Sequence, residues 1–237
     1  MAGCVLIQQN QTTTYRDYRE NAVNLISMES YLGVYTSNEI SEGNQFHGNL
    51  IGSGTYYEYL GVPFLITAAH VSNSLQARLL GMVACHPISY RYRLDMECTR
   101  VDLSRYIDYS DQDIDISIYV LDTHIPSATP IDIETEYNWR LGERIVSTHS
   151  GAGVGTVEGY ITWGSSRNAV ELDIPAWSGA SGGGVLNQEG RLIGVIYAMK
   201  VVQTAWSGRE VAEGHKVMTL LPLDIESRLL DLIIRGI

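Results

Sequence analysis

Beyond residue 30 the chain consists of about a dozen short stretches rich in Val, Ile, Thr and Tyr, separated by Gly, Asn, Ser and Asp. Short stretches with regular turn signals predict an all-β protein of the barrel or sandwich type. The 237 residues suffice for one large domain or for two small ones packed together. The segment 121–138 has two prolines, several acidic residues and no clear periodicity. It is therefore the best candidate for a linker between two β units.

Both ends of the chain carry a helical pattern instead. In residues 1–30, Tyr and aliphatic residues recur at loosely helical spacing after threonines that could cap a helix. Near the other end, the apolar residues of 225–233 fall on one broad face, with acidic residues in the first turn and Arg235 near the end. We therefore expect a helical N-terminal extension and a C-terminal helix.

The charge and hydropathy of the chain argue against two classes of partner, nucleic acids and membranes. The net charge is −11 and the sequence pI is about 4.9, which argues against the basic surface that nucleic-acid backbones require. No apolar run approaches the roughly 20 residues that span a bilayer, and the first residues lack the basic and apolar regions of a signal peptide. We expect no nucleic-acid partner, no membrane partner and a cytoplasmic location; a bacterial or viral setting is left open.

Cys4, Cys85 and Cys98 form an odd, sparse set without metal-binding spacing. Cys85 and Cys98 could meet across a hairpin, but free thiols in a reducing compartment are the favoured interpretation. We expect no metal and no cofactor.

A serine stands in an unusually glycine-rich segment. Ser181 is surrounded by Gly179, Gly182, Gly183 and Gly184, directly ahead of an apolar stretch. A nucleophilic serine needs an exposed hydroxyl and backbone N–H groups aimed at the oxyanion that forms on attack. A tight turn of small residues provides both. The alternative is an ordinary glycine-rich hairpin loop.

A nucleophilic serine also needs a base and a group that orients the base. His70 ends the apolar stretch "VPFLITAAH", which breaks into a turn of small residues. Asp115 follows Asp111 and Asp113 and directly precedes the apolar stretch "ISIYV". Taken singly, a structural histidine and an acidic turn are the plainer interpretations. Together the three residues follow the order His, Asp, Ser, each at the edge of a β stretch, which is the arrangement of a catalytic triad.

These stretches resemble the chymotrypsin-like serine peptidases, and most closely the trypsin-like peptidase domain of the HtrA (DegP) type. The likeness extends over roughly residues 30–235. Its motifs are "GSGTYYEYLGVPFLITAAHV", "DQDIDISIYVL", "LGERIVSTHSGAGVGTVEGYIT" and "GASGGGVLNQEGRLIGVIYA". The resemblance implies an all-β fold of two six-stranded antiparallel β-barrels, with the triad in the cleft between them. The corresponding divisions are an extension, a first barrel, a second barrel and a helix, at residues 1–30, 31–125, 126–222 and 223–237.

The resemblance also implies roles for single residues. His70 would be the general base, Asp115 its orienting partner and Ser181 the nucleophile, with the N–H groups of Gly179 and Ser181 as the oxyanion hole. The strand with Tyr197, Ala198 and Met199 would pair with the backbone of a polypeptide substrate. A regulatory or activating protein partner stays open.

The chain departs from the family pattern at several points. Gly184 stands where Pro or Ala is usual, and Ser117 stands where Ala is usual. No cysteine flanks His70, unlike in secreted members. The chain ends at Ile237, where HtrA proteins continue into PDZ domains, so we expect different regulation.

The resemblance places the base of the specificity pocket at Pro175, six positions before the nucleophile, with Met199 and Lys216 on its walls. An apolar side chain of small to medium size is the favoured occupant of this pocket. The alternatives are an acidic side chain paired with Lys216, whose ammonium could instead point to solvent, and a basic one paired with Asp173.

The predicted function is a serine endopeptidase that acts through an acyl-enzyme. Two alternatives are a protease-fold binding module without catalysis and a self-processing protease of the viral type.

Overall fold

The computed structural model describes residues 22–28, 48–73, 81–87, 96–149, 155–164, 168–175, 180–206 and 209–236. Within these ranges, twelve strands form two closed antiparallel barrels of six strands each. The predicted all-β fold of two six-stranded barrels is confirmed.

The first barrel has the spatial order β1-β2-β3-β6-β5-β4. Pairing between β1 and β4 closes it. Its strands are β1 (Ala22–Met28), β2 (Gly48–Tyr59), β3 (Val62–Thr67), β4 (Met82–Pro87), β5 (Met96–Asp108) and β6 (Ser117–Leu121). A single helical turn, α1 (Ala69–Ser72), follows β3.

The second barrel has the spatial order β10-β11-β12-β9-β8-β7. Pairing between β10 and β7 closes it. Its strands are β7 (Arg144–His149), β8 (Gly155–Gly164), β9 (Ala169–Pro175), β10 (Gly184–Leu186), β11 (Leu192–Trp206) and β12 (Arg209–Leu220). Residues 122–143 contain no strand of either barrel, and the linker expected over 121–138 overlaps β6 at Leu121.

The predicted C-terminal helix is α2 (Ile225–Arg235), which ends at Gly236 in the left-handed region. Its buried residues Ile225, Leu229 and Leu232 join an apolar cluster that takes side chains from both barrels. Arg228 lies over the ring of Tyr109, 4.4 Å from its centroid. The helix therefore packs against the junction between the two barrels and stabilises it. None of the helices among the described residues is long and apolar enough to cross a membrane.

The helical prediction for residues 1–30 is wrong over 22–28, because these residues form strand β1. The strand pairs with β2 on one side and with β4 on the other. The helical spacing was a weak signal, and pairing on both edges outweighs such local preferences. The first barrel therefore begins before residue 31, and the remainder of the predicted extension lies outside the described residues.

The expectation of free thiols is wrong for two of the three cysteines. Cys85 and Cys98 form a disulfide between β4 and β5. The antiparallel register places them directly opposite each other, with their Cα atoms 4.0 Å apart. The sequence separation of 13 could not disclose this register. The cytoplasmic location relied in part on free thiols and stays a prediction.

Candidate active site

His70 lies on α1, the short turn that follows β3. Ala69, Val71 and Ser72 of this turn are buried, whereas the His70 side chain is 46% exposed. The turn is held by hydrogen bonds from the Val71 N–H to the Ala68 carbonyl and from the Asn73 N–H to the Ala69 carbonyl. Small and apolar residues thus anchor the turn from within and leave its one imidazole facing outward.

Asp115 lies between a 3₁₀ turn (Ser110–Gln112) and β6, and it faces His70. Its Oδ1 accepts a hydrogen bond of 2.8 Å from the His70 backbone N–H, and its Oδ2 lies 2.6 Å from the ring Nδ1. An ionised carboxylate can only accept, so this contact keeps the proton on Nδ1 and leaves the Nε2 lone pair free to take a proton. The two contacts fix both the backbone and the ring of the histidine.

Asp113, two residues before Asp115 on the same segment, is placed differently. It is exposed and adopts the left-handed backbone conformation, with φ of 58°. Of the acidic residues at 111, 113 and 115, Asp115 is the one with a hydrogen bond to His70. The structure therefore favours the assignment that the motif suggested.

Ser181 lies in a tight turn between β9 and β10. Gly182 has a φ of +85°, which a residue with a side chain rarely adopts. The N–H of Gly182 donates to the Ile196 carbonyl at 2.7 Å, and the Ile196 N–H donates to the Gly183 carbonyl at 2.9 Å. These two hydrogen bonds attach the serine turn to β11.

The Ser181 turn also touches the first barrel. The Ser53 N–H of β2 donates a hydrogen bond of 2.7 Å to the Ser181 carbonyl. A Cβ added to Gly182 would collide with the Ser53 carbonyl and the Thr67 hydroxyl, and it would come within 3.1 Å of the Ala68 nitrogen. Ala68 is two residues before His70, so these contacts bring the serine turn and the histidine turn together at the junction of the two barrels.

Only part of the predicted oxyanion hole and substrate strand can be described. Gly179 lies outside the described residues, so its role stays a prediction. Tyr197 and Ala198 are partly buried on β11. The backbone of Met199 pairs with Lys216, and that of Pro175 pairs with His215 at the end of β9.

A cleft of about 330 Å³ opens beside the His70–Asp115 pair. Both barrels contribute to its walls, among them His70, Asn73 and Asp115 from the first and Asn168, Tyr197 and Thr219 from the second. Burial raises the pKa of Tyr197, and the charges of Asp115 and Glu171 raise it further. The Tyr197 phenol therefore stays neutral beside the carboxylate of the pair.

Asp108, at the end of β5, supports the histidine turn and was missed by the sequence analysis. Its Oδ2 accepts a hydrogen bond of 3.3 Å from Asn73, the residue that ends α1. Burial alone would raise the pKa of Asp108, but hydrogen bonds from the Ser110 backbone and from the Asn73, Ser110 and Ser117 side chains outweigh it and lower the pKa. No sequence motif marks this contact, because it joins residues 35 positions apart.

Lys216 is buried, with 1% of its surface exposed. The alternative that its ammonium points to solvent is therefore wrong. Burial lowers the pKa of the Lys216 ammonium to about 7.

Among the described residues, no group of three or more His, Cys, Asp or Glu side chains could hold a metal ion.

Two antiparallel barrels with a histidine–carboxylate pair and a glycine-flanked serine at their junction define a protein of the chymotrypsin-like class. The family model described as the trypsin-like peptidase domain matches residues 52–195, more than half of the chain. The chain therefore belongs to the trypsin-like peptidase family. No curated protein sequence matches it significantly.

A solved structure of an HtrA-type protease, AlgW with a decapeptide, has a similar fold. It superposes with a TM-score of 0.59 at 16% sequence identity. The match covers 93% of this chain and 66% of the AlgW chain. The likeness to an HtrA-type protease, first suggested by four sequence motifs, thus extends to the whole double-barrel fold.

Proposed function

We propose that the chain is a serine endopeptidase, with Ser181 as the nucleophile, His70 as the general base and Asp115 as the residue that orients the base. The observation that carries the proposal is the pair of hydrogen bonds between His70 and Asp115. It occurs within a trypsin-like peptidase domain, on a turn packed against the Ser181 turn.

In the first half of the reaction, the Ser181 Oγ attacks the carbonyl carbon of the scissile bond while the His70 Nε2 takes the hydroxyl proton. The Asp115 carboxylate stabilises the imidazolium that forms. The N–H groups of Gly179 and Ser181 would stabilise the negative charge on the carbonyl oxygen. His70 then gives its proton to the leaving amine, and an acyl-enzyme ester on Ser181 remains.

In the second half, a water molecule attacks the ester carbon and His70 takes a proton from that water. The C–O bond to Ser181 breaks, and His70 returns the proton to the serine oxygen. Peptide hydrolysis by this route needs no metal and no cofactor.

We propose an extended polypeptide as the substrate, bound along β11. Pairing of β10 with β11 stops at Val195, whereas β12 continues along β11 to Trp206. Among the described strands, β11 therefore has an unpaired edge from Tyr197 onward, where a peptide could add as a strand. The decapeptide that accompanies AlgW in its solved structure supports a polypeptide ligand. A regulatory partner stays a prediction.

The test is hydrolysis of a peptide library by the purified chain, with Ser181→Ala as the matched control. We expect cleavage that falls by several orders of magnitude in the variant, because the nucleophile is lost. Peptides that bind without being cleaved by either protein would instead support the binding module. Cleavage confined to the chain itself would support the self-processing protease.

A further inference from the structure

Asp108 lies at the narrow end of the loop that carries Asp115. This loop, residues 109–116, leaves β5 at Asp108 and returns to β6 at Ser117, and these two residues pair across the strands. One oxygen of Asp108, Oδ1, accepts hydrogen bonds of 2.9 Å from the Ser110 N–H and of 3.4 Å from the Ser117 hydroxyl. That oxygen therefore joins the two ends of the loop.

The other oxygen of the same carboxylate reaches the histidine turn. Oδ2 accepts a hydrogen bond of 3.3 Å from the side-chain amide of Asn73, the residue that ends α1. The Asn73 backbone N–H in turn donates to the carbonyl of Ala69, the neighbour of His70. Asp108 therefore connects the turn that carries the proposed base with the loop that carries its orienting partner.

An ionised carboxylate suits this position because it only accepts hydrogen bonds and can accept several. Its three partners, Asn73, Ser110 and Ser117, all donate to it. Burial alone would raise the pKa of Asp108, but these donors outweigh it and lower the pKa, so the group is charged at neutral pH. An amide in its place would turn an N–H group towards at least one donor.

The two segments that Asp108 connects form one wall of the cleft. Four of their residues line it, namely His70, Asn73, Ser110 and Asp115. The two hydrogen bonds between His70 and Asp115 run between the same two segments. Their geometry therefore depends on how the segments are held relative to each other, and Asp108 has a hydrogen bond to each.

We propose that Asp108 is a positioning residue for catalysis, which sets the distance between the histidine turn and the loop of Asp115. The inference rests on the serine endopeptidase function proposed above. In this role Asp108 acts through Asn73 and Ser110 rather than on the substrate. A displacement of about 1 Å in an active site can cost about 100-fold in rate, so the effect should be found in kcat.

The test exchanges the two ends of one hydrogen bond. Asp108→Asn places an amide where Asn73 donates, and Asn73→Asp places two carboxylates side by side, so each change alone removes the hydrogen bond. The double variant restores it in the reverse direction, because the new amide can donate to the new carboxylate. We expect kcat on one peptide to fall about 10- to 100-fold in each single variant. It should recover to within about 3-fold of the wild type in the double variant.

Two further readouts separate positioning from plain stability. Urea unfolding shows whether each variant is fully folded under the assay conditions. The proton on the His70 Nδ1, in a short hydrogen bond to a carboxylate, should resonate far downfield in the proton NMR spectrum, and His70→Ala assigns it by its loss. Its position reports the contact between His70 and Asp115 without any substrate. It should shift or vanish in Asp108→Asn and return in the double variant.

Asp102→Asn is the matched control. Asp102 lies on the same strand, and its carboxylate accepts hydrogen bonds from the backbone and the hydroxyl of Ser104. The same chemical change is thereby made at a contact local to β5. Both kcat and the downfield resonance should equal those of the wild type in this variant.

The outcomes separate the two proposals. A folded Asp108→Asn protein with the kcat and the resonance of the wild type would overturn the positioning role and leave the endopeptidase intact. A double variant as slow as the single variants would do the same. A wild type that neither cleaves peptides nor reacts with a fluorophosphonate would overturn the endopeptidase, and the catalytic role of Asp108 with it. If Asp108→Asn fails to fold, Asn73→Ala, which removes the donor of the same contact, decides by the same readouts.

Discussion

The carboxylate of Asp115 engages His70 twice, through the backbone N–H at 2.8 Å and through the ring Nδ1 at 2.6 Å. One residue thus holds both the position of the histidine turn and the orientation of its ring. In the proposed reaction this is the arrangement that directs Nε2 at the serine.

Asp115→Asn should reduce kcat by roughly 10⁴-fold, because an amide can donate to Nδ1 and favour the wrong tautomer. Asp113→Asn is the matched control, since Asp113 is exposed two residues away and asparagine tolerates its left-handed backbone. The measurement is kcat on one peptide for both variants. Equal losses would contradict the distinct role of Asp115.

Gly182→Ala should destabilise the fold by several kcal/mol and remove activity. The added Cβ would collide with the Ser53 carbonyl and the Thr67 hydroxyl, in addition to the strain of a φ of +85°. Gly142→Ala carries a similar strain at a φ of +76° but meets open space. Urea unfolding should therefore show a loss of about 1–2 kcal/mol for Gly142→Ala, and clearly more for Gly182→Ala. Similar losses in the two variants would argue against the tight packing of the serine turn.

Removing residues 1–28 should prevent the first barrel from folding, whereas removing residues 1–21 should not. The longer truncation deletes β1, which closes the barrel by pairing with both β2 and β4. Two exposed strand edges would remain, and such edges promote aggregation. Circular dichroism and size-exclusion chromatography of the two proteins make the comparison. A folded, monomeric protein without residues 1–28 would contradict the role of β1.

The free energy of unfolding should rise between about pH 7 and pH 10 because of Lys216. Its pKa is near 7 in the folded chain and near the ordinary value of 10.5 in the unfolded chain. In this window the unfolded chain binds more protons, so stability increases with pH, by at most about 1.4 kcal/mol per pH unit. The quantity to measure is the wild-type value minus that of Lys216→Met, which removes the contributions of other groups. A difference that stays flat or falls with pH would show that the lysine is not desolvated.

Much of this architecture can be predicted from local sequence features. The strand and turn signals predicted the all-β class, and the motifs around His70 and Ser181 pointed to two barrels. Asp115 could be chosen over Asp113 because it abuts the apolar stretch of β6. These features depend on residues close together in the chain.

The features that could not be predicted depend on register and burial. Residues 22–28 have a helical pattern, yet pairing with two strands decides their conformation. Cys85 and Cys98 meet because β4 and β5 align them, which their spacing does not disclose. The direction of the Lys216 side chain depends on which face of β12 turns inward, and the support of α1 by Asp108 depends on a contact across the fold.

Covalent labelling of Ser181 by a fluorophosphonate tests the account most directly, because the reagent reacts with a serine only when a base and an oxyanion hole activate it. Intact-mass and peptide-mapping mass spectrometry would locate the adduct in the wild type, in Ser181→Ala and in His70→Ala. We predict one adduct, on Ser181 of the wild type, with none in Ser181→Ala and very slow reaction in His70→Ala. An unmodified wild type, or equal labelling of Ser181 in the wild type and in His70→Ala, would contradict a catalytic triad in this chain.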